Sequence, residues 1–150
     1  DLDFNLNNEE TPVILWNHRF EYDKNPDDFF NLMIDLQEEG FDFKLIVLGE
    51  GADKHTLWRE RLKNKTIHWG KVKEHEDYLK LLERATLLPV TSHQDFFGIS
   101  IVEAISKGAH PLLPNRLAYP EQPYKLTAVN LSMKRSFEVV DYHSILTHKE

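Results

Sequence analysis

The stretch TLLPVTSHQDFFGISIVEAISKGAHPLLPN, residues 86–115, holds two short apolar runs separated by a polar loop and a helical segment. The runs TLLPVTS and HPLLPN are continuously apolar at their centres, which is typical of strands buried on both faces of a sheet. A strand, a crossover helix and a second strand predict a parallel pair. Pro89 inside the first run either weakens its assignment as a strand or predicts a bulge there, because proline cannot donate a hydrogen bond to its neighbour strand.

The same alternation of strands and helices extends toward the amino terminus. Further apolar runs predict strands at 12–17, 43–51 and 65–72. Pro26 suits the first turn of the helix that follows the first strand, and Gly40 suits its end. The segments DKHTLWRERLKN and HEDYLKLLERA predict two more helices. Because parallel strands are joined by right-handed crossovers, the chain is predicted to form an α/β, doubly wound parallel sheet of five or six strands.

The composition is typical of a globular domain and excludes several kinds of site. The chain has 150 residues, of which 41% are hydrophobic and 29% charged, enough for one domain with its own core. It has no cysteine, so disulfides and thiolate zinc sites are excluded. A net charge of −7 argues against strong nucleic-acid binding by this chain alone. No apolar run is long enough to cross a bilayer, and the acidic start DLDFNLNNEE does not fit a targeting segment.

The two ends of the chain are less clearly patterned than its middle. Residues 1–11 are interpreted as a linker and truncation point, and residues 12–121 as the domain. The final part, 122–150, is a tail of uncertain structure. Within it LTAVNLSM is expected to form a strand and SFEVVDYHSILTHK an amphipathic helix.

Polar segments follow each predicted strand at its carboxyl end. In sequence order these segments are NHRFEYDK, GEG, WGKV, TSHQDFFG and NRLAYPE. In doubly wound sheets, ligands bind beyond this edge, where the loops enter the helices. The sequence therefore predicts that a functional site lies there.

Two acids flank the start of the helix in the opening stretch. Asp95 precedes Gly98, and Glu103 lies among the apolar residues of the helix, about 7.5 Å along its axis from Gly98. Free N–H groups at a helix start attract phosphate, and carboxylates accept hydrogen bonds from sugar hydroxyls. This layout fits a nucleotide sugar. The alternative, to which the spacing alone gives equal weight, is that Glu103 is a partly exposed surface acid and Asp95 a helix N-terminal acid.

Other polar residues give weaker signals. Arg19 and Lys24 would reach the same sheet edge and neutralise a pyrophosphate, although each taken singly fits a solvated surface charge. The glycines Gly49 and Gly51 lack the third glycine of a dinucleotide fingerprint, so they are interpreted as a strand-to-helix turn that allows close approach of a ligand. The eight histidines have no metal-ligand spacing, so no metal site is expected.

These motifs together resemble glycosyltransferase family 4, whose members are retaining enzymes. DFFGISIVEAISKG resembles the acidic E-x(7)-E motif, with Asp95 and Glu103 as its two acids. HRFEYDK resembles the Arg-x(4)-Lys pair of the family, at Arg19 and Lys24. WNHRFEYDKNPDDFF, HWGKV, HQDFFGISIVEAI and LAYPE look like one branch, the tRNA-queuosine mannosyltransferase group. That group transfers mannose from GDP-mannose to queuosine in tRNA.

The resemblance implies a GT-B enzyme with two Rossmann-like halves, of which this chain would be the C-terminal, donor-binding half. It implies that Arg19 and Lys24 hold the donor diphosphate, that Asp95 faces the sugar, and that Glu103 takes the ribose hydroxyls. The base would lie near residues 67–69. The further residues expected to line the donor are Gly49, Ile67, His68, Trp69, Phe97, Gly98 and Ile99.

The same resemblance implies a partner set and a location. The expected partners are a nucleotide sugar, and tRNA as acceptor once the other half is present, with no cofactor, metal or membrane and a cytoplasmic location. The chain alone is expected to be inactive. Two alternatives stay open: a GT-B enzyme with a lipid or polysaccharide acceptor, and a nucleotide-binding or interaction module without chemistry of its own.

Overall fold

The computed structural model describes residues 11–91, 99–114 and 137–139. The described strands are β1 (Val13–Asn17), β2 (Lys44–Leu48), β3 (Thr66–Trp69), β4 (Leu87–Pro89), β5 (His110–Pro114) and β6 (Phe137–Val139). The α-helices are α1 (Pro26–Glu38), α2 (Thr56–Arg61), α3 (His75–Arg84) and α4 (Ile99–Ser106). Short 3₁₀ helices occur at Tyr22–Lys24 and Ala52–Lys54.

The strands form one sheet in the order β3-β2-β1-β4-β5-β6. The first five are parallel, which confirms the predicted α/β sheet. The strand order reverses between β1 and β4, which is the point at which doubly wound sheets commonly bind ligands. The sequence predicted a site at the carboxyl ends of the strands but did not predict the strand order.

The sixth strand corrects the interpretation of the C-terminal tail. Residues 137–139, predicted as the start of an amphipathic helix, instead pair antiparallel with β5, with Leu112 opposite Val139 and Pro114 opposite Phe137. The edge of β5 offers unpaired backbone groups, and pairing with them overrides a weak local helical pattern. The predicted strand at LTAVNLSM lies outside the described residues, and the predicted domain boundaries stay predictions.

Alternate side chains of the strands pack into two cores on opposite faces of the sheet. In β1, Ile14 and Trp16 belong to the core under α1, whereas Leu15 belongs to the core under α3 and α4. Both cores are buried from solvent. Because the sheet is covered on both faces, only its edges and the ends of its strands are available for ligands.

The bulge predicted at Pro89 is not found. β4 ends at Pro89, which pairs with Leu112 in regular register, and the next residue, Val90, donates its N–H to the Leu112 carbonyl at 2.9 Å. Proline is tolerated because it is the last residue of a three-residue strand. A register shift occurs instead between β2 and β3, at Leu45 and Ile46.

Helix α1 begins and ends as predicted. The Asn25 side chain accepts a hydrogen bond from the Asp28 N–H, and Pro26 occupies the first turn. Gly40, with φ of 86°, follows the end of the helix in the left-handed region. Among the described residues, no helix combines the length and apolar composition needed to cross a membrane.

Candidate functional site

An open cleft of about 420 Å³ lies at the carboxyl ends of β1, β2 and β3. Its floor and walls come from the strand ends and from the facing sides of α3 and α4. The lining residues are Asn17, Leu48, Gly49, Glu50, Lys71, Val72, Lys73, His75, Tyr78 and Glu103. The cleft therefore occupies the sheet edge at which the sequence predicted a ligand.

Gly49 allows the ends of β1 and β2 to approach each other. Its φ is 119°, a conformation that L side chains rarely adopt. A Cβ atom at this position would also collide with the backbone carbonyl of His18. Gly49 thus lines the cleft, as expected, and it also fixes the backbone around it.

Glu103 has the partner that its apolar surroundings require. The Tyr78 hydroxyl on α3 donates a hydrogen bond of 2.8 Å to Glu103 Oε1 on α4. The Asn17 amide at the end of β1 donates to the Tyr78 oxygen at 3.1 Å and to the Ser100 carbonyl at 3.0 Å. A partly buried carboxylate is tolerated when it is hydrogen-bonded, and this network holds Glu103 at the cleft wall.

Tyr78 remains a hydrogen-bond donor throughout the neutral pH range. Burial raises the pKa of its hydroxyl to about 12, although the hydrogen bond from Asn17 lowers it, and the hydrogen bond to Glu103 and the charge of that carboxylate act in the same direction as burial. The raised pKa fits the geometry, because a tyrosinate beside a carboxylate would place two like charges together.

The mouth of the cleft carries both signs of charge. Lys71, Lys73 and His75 follow β3 and are exposed, and Glu50 follows β2 and is also exposed. Ammonium groups donate hydrogen bonds and a carboxylate accepts them. This rim can therefore pair with a ligand that presents both acceptors and donors, such as a nucleobase edge.

Arg19 and Lys24 follow β1, as predicted, but neither lines the cleft. Arg19 is exposed and lies 3.5 Å from Glu21, and Lys24 lies 3.6 Å from Asp23. The Thr91 hydroxyl donates hydrogen bonds to the backbone carbonyls of Lys24, at 2.8 Å, and Asn25, at 3.0 Å. These bonds hold the backbone of the Lys24 segment beside Thr91, which follows the end of β4.

Residues 67–69 do not line the cleft. Trp69 is buried in the core under α1, and its indole N–H donates to the Ala52 carbonyl at 2.8 Å. His68 Nε2 lies 2.8 Å from the Gly70 carbonyl oxygen, and Ile67 packs against the opposite core. The strand ends there, so the cleft wall is built by the next residues along the chain, 71–73.

Three predicted site residues, Asp95, Phe97 and Gly98, lie outside the described residues. Ile99 is the first residue of α4, and 79% of its side chain is exposed. α4 thus begins at the end of the stretch predicted to face the sugar.

Tyr78 and Asn17 are site residues that sequence reasoning missed. In the sequence Tyr78 shares a helical face with Leu81 and Leu82, an apolar pattern that is typical of packing rather than binding. Asn17 was the last residue of the predicted strand 12–17 and the first of the polar segment NHRFEYDK, and it was given no role. A tyrosine on an apolar face with its hydroxyl at the carboxyl end of a sheet was the available signal.

His18 is a buried, neutral imidazole at the end of β1. Its exposed fraction is 5%, and burial, helped by the charge of Lys24 and opposed by Asp23, lowers its pKa to about 4. Its Nε2 atom has no hydrogen-bond partner among the described residues, whereas its backbone carbonyl accepts from the Trp16 indole at 2.8 Å. Within the described ranges, no group of three or more His, Asp or Glu side chains could hold a metal ion.

The sequence matches the model of one protein family, described as glycosyl transferases group 1, over residues 2–122. The tRNA-queuosine alpha-mannosyltransferase of Drosophila melanogaster is 35% identical over 112 residues. That alignment covers 72% of this chain and 29% of the fly protein, so the chain spans less than a third of the length of this relative.

Solved structures with the same fold include glycosyltransferase domains. The C-terminal domain of LpcC, a glycosyl transferase group 1 family protein from Francisella tularensis, superposes with a TM-score of 0.55 at 18% identity, covering 74% of this chain and 61% of that one. The catalytic domain of cholesterol-alpha-glucosyltransferase from Helicobacter pylori has a TM-score of 0.54 at 24% identity, with 71% and 66% covered. At these identities the likeness shows the fold, that of a GT-B glycosyltransferase domain.

Proposed function

The chain belongs to the family of group 1 glycosyl transferases, and we propose that it binds the donor in a retaining enzyme that transfers mannose from GDP-mannose to queuosine in tRNA. The relative that motivates this choice of donor and acceptor is the fly tRNA-queuosine alpha-mannosyltransferase. In this proposal the chain supplies the donor half of the cleft. The acceptor half belongs to a further part of the enzyme.

The observation that carries the proposal is the fixed position of Glu103 at the wall of the cleft. Its carboxylate is held by Tyr78 at the carboxyl ends of the parallel strands. A carboxylate has about four lone-pair sites, so Glu103 keeps acceptor capacity after bonding Tyr78. We assign that capacity to the ribose hydroxyls of GDP.

The rest of the donor follows from this placement. The base would enter the cleft beside Gly49, Glu50 and residues 71–73, which replace residues 67–69 as its proposed contacts. Guanine suits this mixed rim, because it presents N–H donors to a carboxylate and ring acceptors to a lysine. In the proposal the diphosphate runs toward the start of α4 and the end of β4, where Thr91 holds the Lys24 backbone, and Lys24 and Arg19 would contact it there.

The proposed chemistry needs charge stabilisation more than a nucleophile on this chain. As the bond between the sugar and GDP breaks, negative charge grows on the departing diphosphate and positive charge on the sugar. Arg19 and Lys24 would stabilise the diphosphate, and Asp95 would hold the sugar. No cofactor or metal is proposed for this step.

Transfer by this chain alone is not expected. Half of the cleft would be missing, so the acceptor would be neither positioned nor shielded from water. The net charge of −7 also disfavours contact with tRNA phosphates. The tRNA acceptor places the proposed activity in the cytoplasm.

The test is a donor and acceptor matrix. A longer protein that contains this chain would be incubated with GDP-mannose, UDP-glucose or UDP-N-acetylglucosamine, each with queuosine-containing tRNA, unmodified tRNA or a lipid acceptor. We expect sugar transfer from GDP-mannose to queuosine-containing tRNA only, and none by the 150-residue chain. Transfer to the lipid, or from a UDP-sugar, would replace the proposed substrates while leaving the family assignment intact.

A further inference from the structure

We infer that Tyr78 is a positioning residue that lets the enzyme recognise the ribose of its donor, by holding the Glu103 carboxylate in one orientation. The inference rests on the proposed function, because it takes Glu103 as the ribose contact. It assigns a role to two residues, Tyr78 and Asn17, for which the sequence analysis gave none.

The network joins three elements that are far apart in sequence. Asn17 ends β1, Tyr78 lies in the first turn of α3, and Glu103 lies in the middle of α4. The donor–acceptor distances of 3.1 Å from Asn17 to Tyr78 and 2.8 Å from Tyr78 to Glu103 are both within normal hydrogen-bond range. Tyr78, the middle residue of this network, therefore links α3 to both β1 and α4.

The direction of the hydrogen bonds is set by the Ser100 carbonyl. That carbonyl can only accept, so the Asn17 amide nitrogen must face it, at 3.0 Å. The same nitrogen then donates to the Tyr78 oxygen, which leaves the Tyr78 proton free to point at Glu103. The competing contact from Tyr78 to the Asn17 oxygen is longer, at 3.5 Å.

Packing alone does not require a hydroxyl at residue 78. The neighbouring face of α3 carries leucines, and Leu79, Leu81 and Leu82 all join the same core. The Tyr78 ring extends past this core so that its hydroxyl lines the cleft, where it meets Glu103. The Tyr78 ring thus packs against the core, while its hydroxyl group bonds Glu103 at the cleft.

The consequence is a defined acceptor geometry. A glutamate has three side-chain torsions, and without Tyr78 its carboxylate would sample several of them at the cleft wall. Pinned by Tyr78, it presents its remaining lone pairs in one direction. A ribose diol would gain from this, whereas a sugar without hydroxyls would not.

The test compares two ligands that differ only at the ribose, GDP and 2′,3′-dideoxy-GDP. Their Kd values would be measured by calorimetry for the wild type, Tyr78→Phe, Glu103→Ala and the double variant. Thr66→Val serves as the matched control, since it removes a half-buried hydroxyl that bonds the Leu62 carbonyl outside the cleft. Thermal melting would verify that each variant is folded.

We expect the wild type to prefer GDP and Tyr78→Phe to reduce that preference about 5- to 10-fold, the net scale of one ordinary hydrogen bond. Binding of the dideoxy ligand should be unchanged. Glu103→Ala should abolish the preference for GDP. The double variant should bind the two ligands as Glu103→Ala does, and Thr66→Val should bind them as the wild type does. If Tyr78→Phe does not fold, Asn17→Ala, which removes the group that orients the hydroxyl, should lower the same preference.

Two results would overturn the inference without touching the proposed function. In one, Tyr78→Phe keeps the full ribose preference that Glu103→Ala loses. In the other, it weakens both ligands equally, which would make Tyr78 a packing residue. A wild type that binds both ligands equally would instead remove the ribose contact from the proposed function, and this inference with it.

Discussion

Glu103 shows how far a single residue could be understood from sequence. Its apolar neighbours and its distance from Asp95 predicted an acid with a task or a partner. The partner, Tyr78, is 25 residues away, and Asn17 is 61 residues beyond that. Spacing along a chain cannot reveal hydrogen bonds between elements that meet only through the fold, so this half of the site required coordinates.

At the same scale, His18 is predicted to make the chain sensitive to acid. Its pKa is about 4 in the folded chain, against the ordinary histidine value of 6.5, so between pH 6.5 and about 4 the unfolded chain binds a proton that the folded chain does not. Stability is therefore fully present above pH 6.5 and falls between pH 6.5 and about 4. The gap corresponds to about 3 kcal/mol.

The measurement is urea unfolding of the wild type and His18→Gln across that pH range. The variant should lose less stability on acidification, by up to about 3 kcal/mol, because it has no imidazole to protonate in the unfolded chain. His75→Gln, which changes an exposed histidine, is the control and should follow the wild type. If the free energies of unfolding of His18→Gln and the wild type fall by the same amount on acidification, His18 is not a buried neutral imidazole in the folded chain.

The strands and helices that contain a clear apolar pattern were predicted correctly, but the residues at which they begin and end were predicted less well. The predicted strand 65–72 ends at Trp69, because Gly70 turns the chain with φ of 123° and directs residues 71–73 into the cleft. The predicted helix at 53–64 is shorter, and a separate 3₁₀ turn precedes it. Turns decided by backbone geometry, as at Gly70, and strands decided by tertiary pairing, as at 137–139, are poorly marked in sequence.

The element that supports Tyr78 gives a second prediction. Leu82 lies on α3, one turn after Tyr78, and is fully buried in the core shared with α4. Leu82→Ala should lower the free energy of unfolding by about 2–5 kcal/mol, since it leaves a cavity. The matched control is Leu57→Ala on α2, where the residue is 75% exposed. This change should alter the free energy of unfolding by less than about 0.5 kcal/mol.

Urea unfolding at neutral pH would compare the two leucine variants with the wild type. Equal effects at Leu82 and Leu57 would mean that α3 does not pack on the sheet as described. The position of Tyr78 against Glu103 would then lose its support.

At the scale of the whole molecule, the alternation of strands and helices was enough to predict the parallel sheet and the edge that carries the site. It was not enough to predict which polar residues at that edge share one cleft. Glu103 and Gly49 do line it, whereas Lys24 faces the end of β4 and residues 67–69 support the core. Direction at a strand end depends on twist and on the following turn, which a sequence pattern does not encode.

We propose that this chain binds a guanine nucleotide sugar, with Glu103 contacting the ribose and Asp95 contacting the sugar. Calorimetric titration of GDP and GDP-mannose into the wild type, Glu103→Ala and Asp95→Ala is the decisive measurement of this assignment. Glu103→Ala should weaken both ligands by about 1–3 kcal/mol, or about 5- to 150-fold in Kd, because a ribose hydroxyl loses its acceptor. Asp95→Ala should leave GDP binding nearly unchanged and weaken GDP-mannose. Equal GDP affinity in the folded wild type and in Glu103→Ala would contradict the assignment of Glu103 to the ribose.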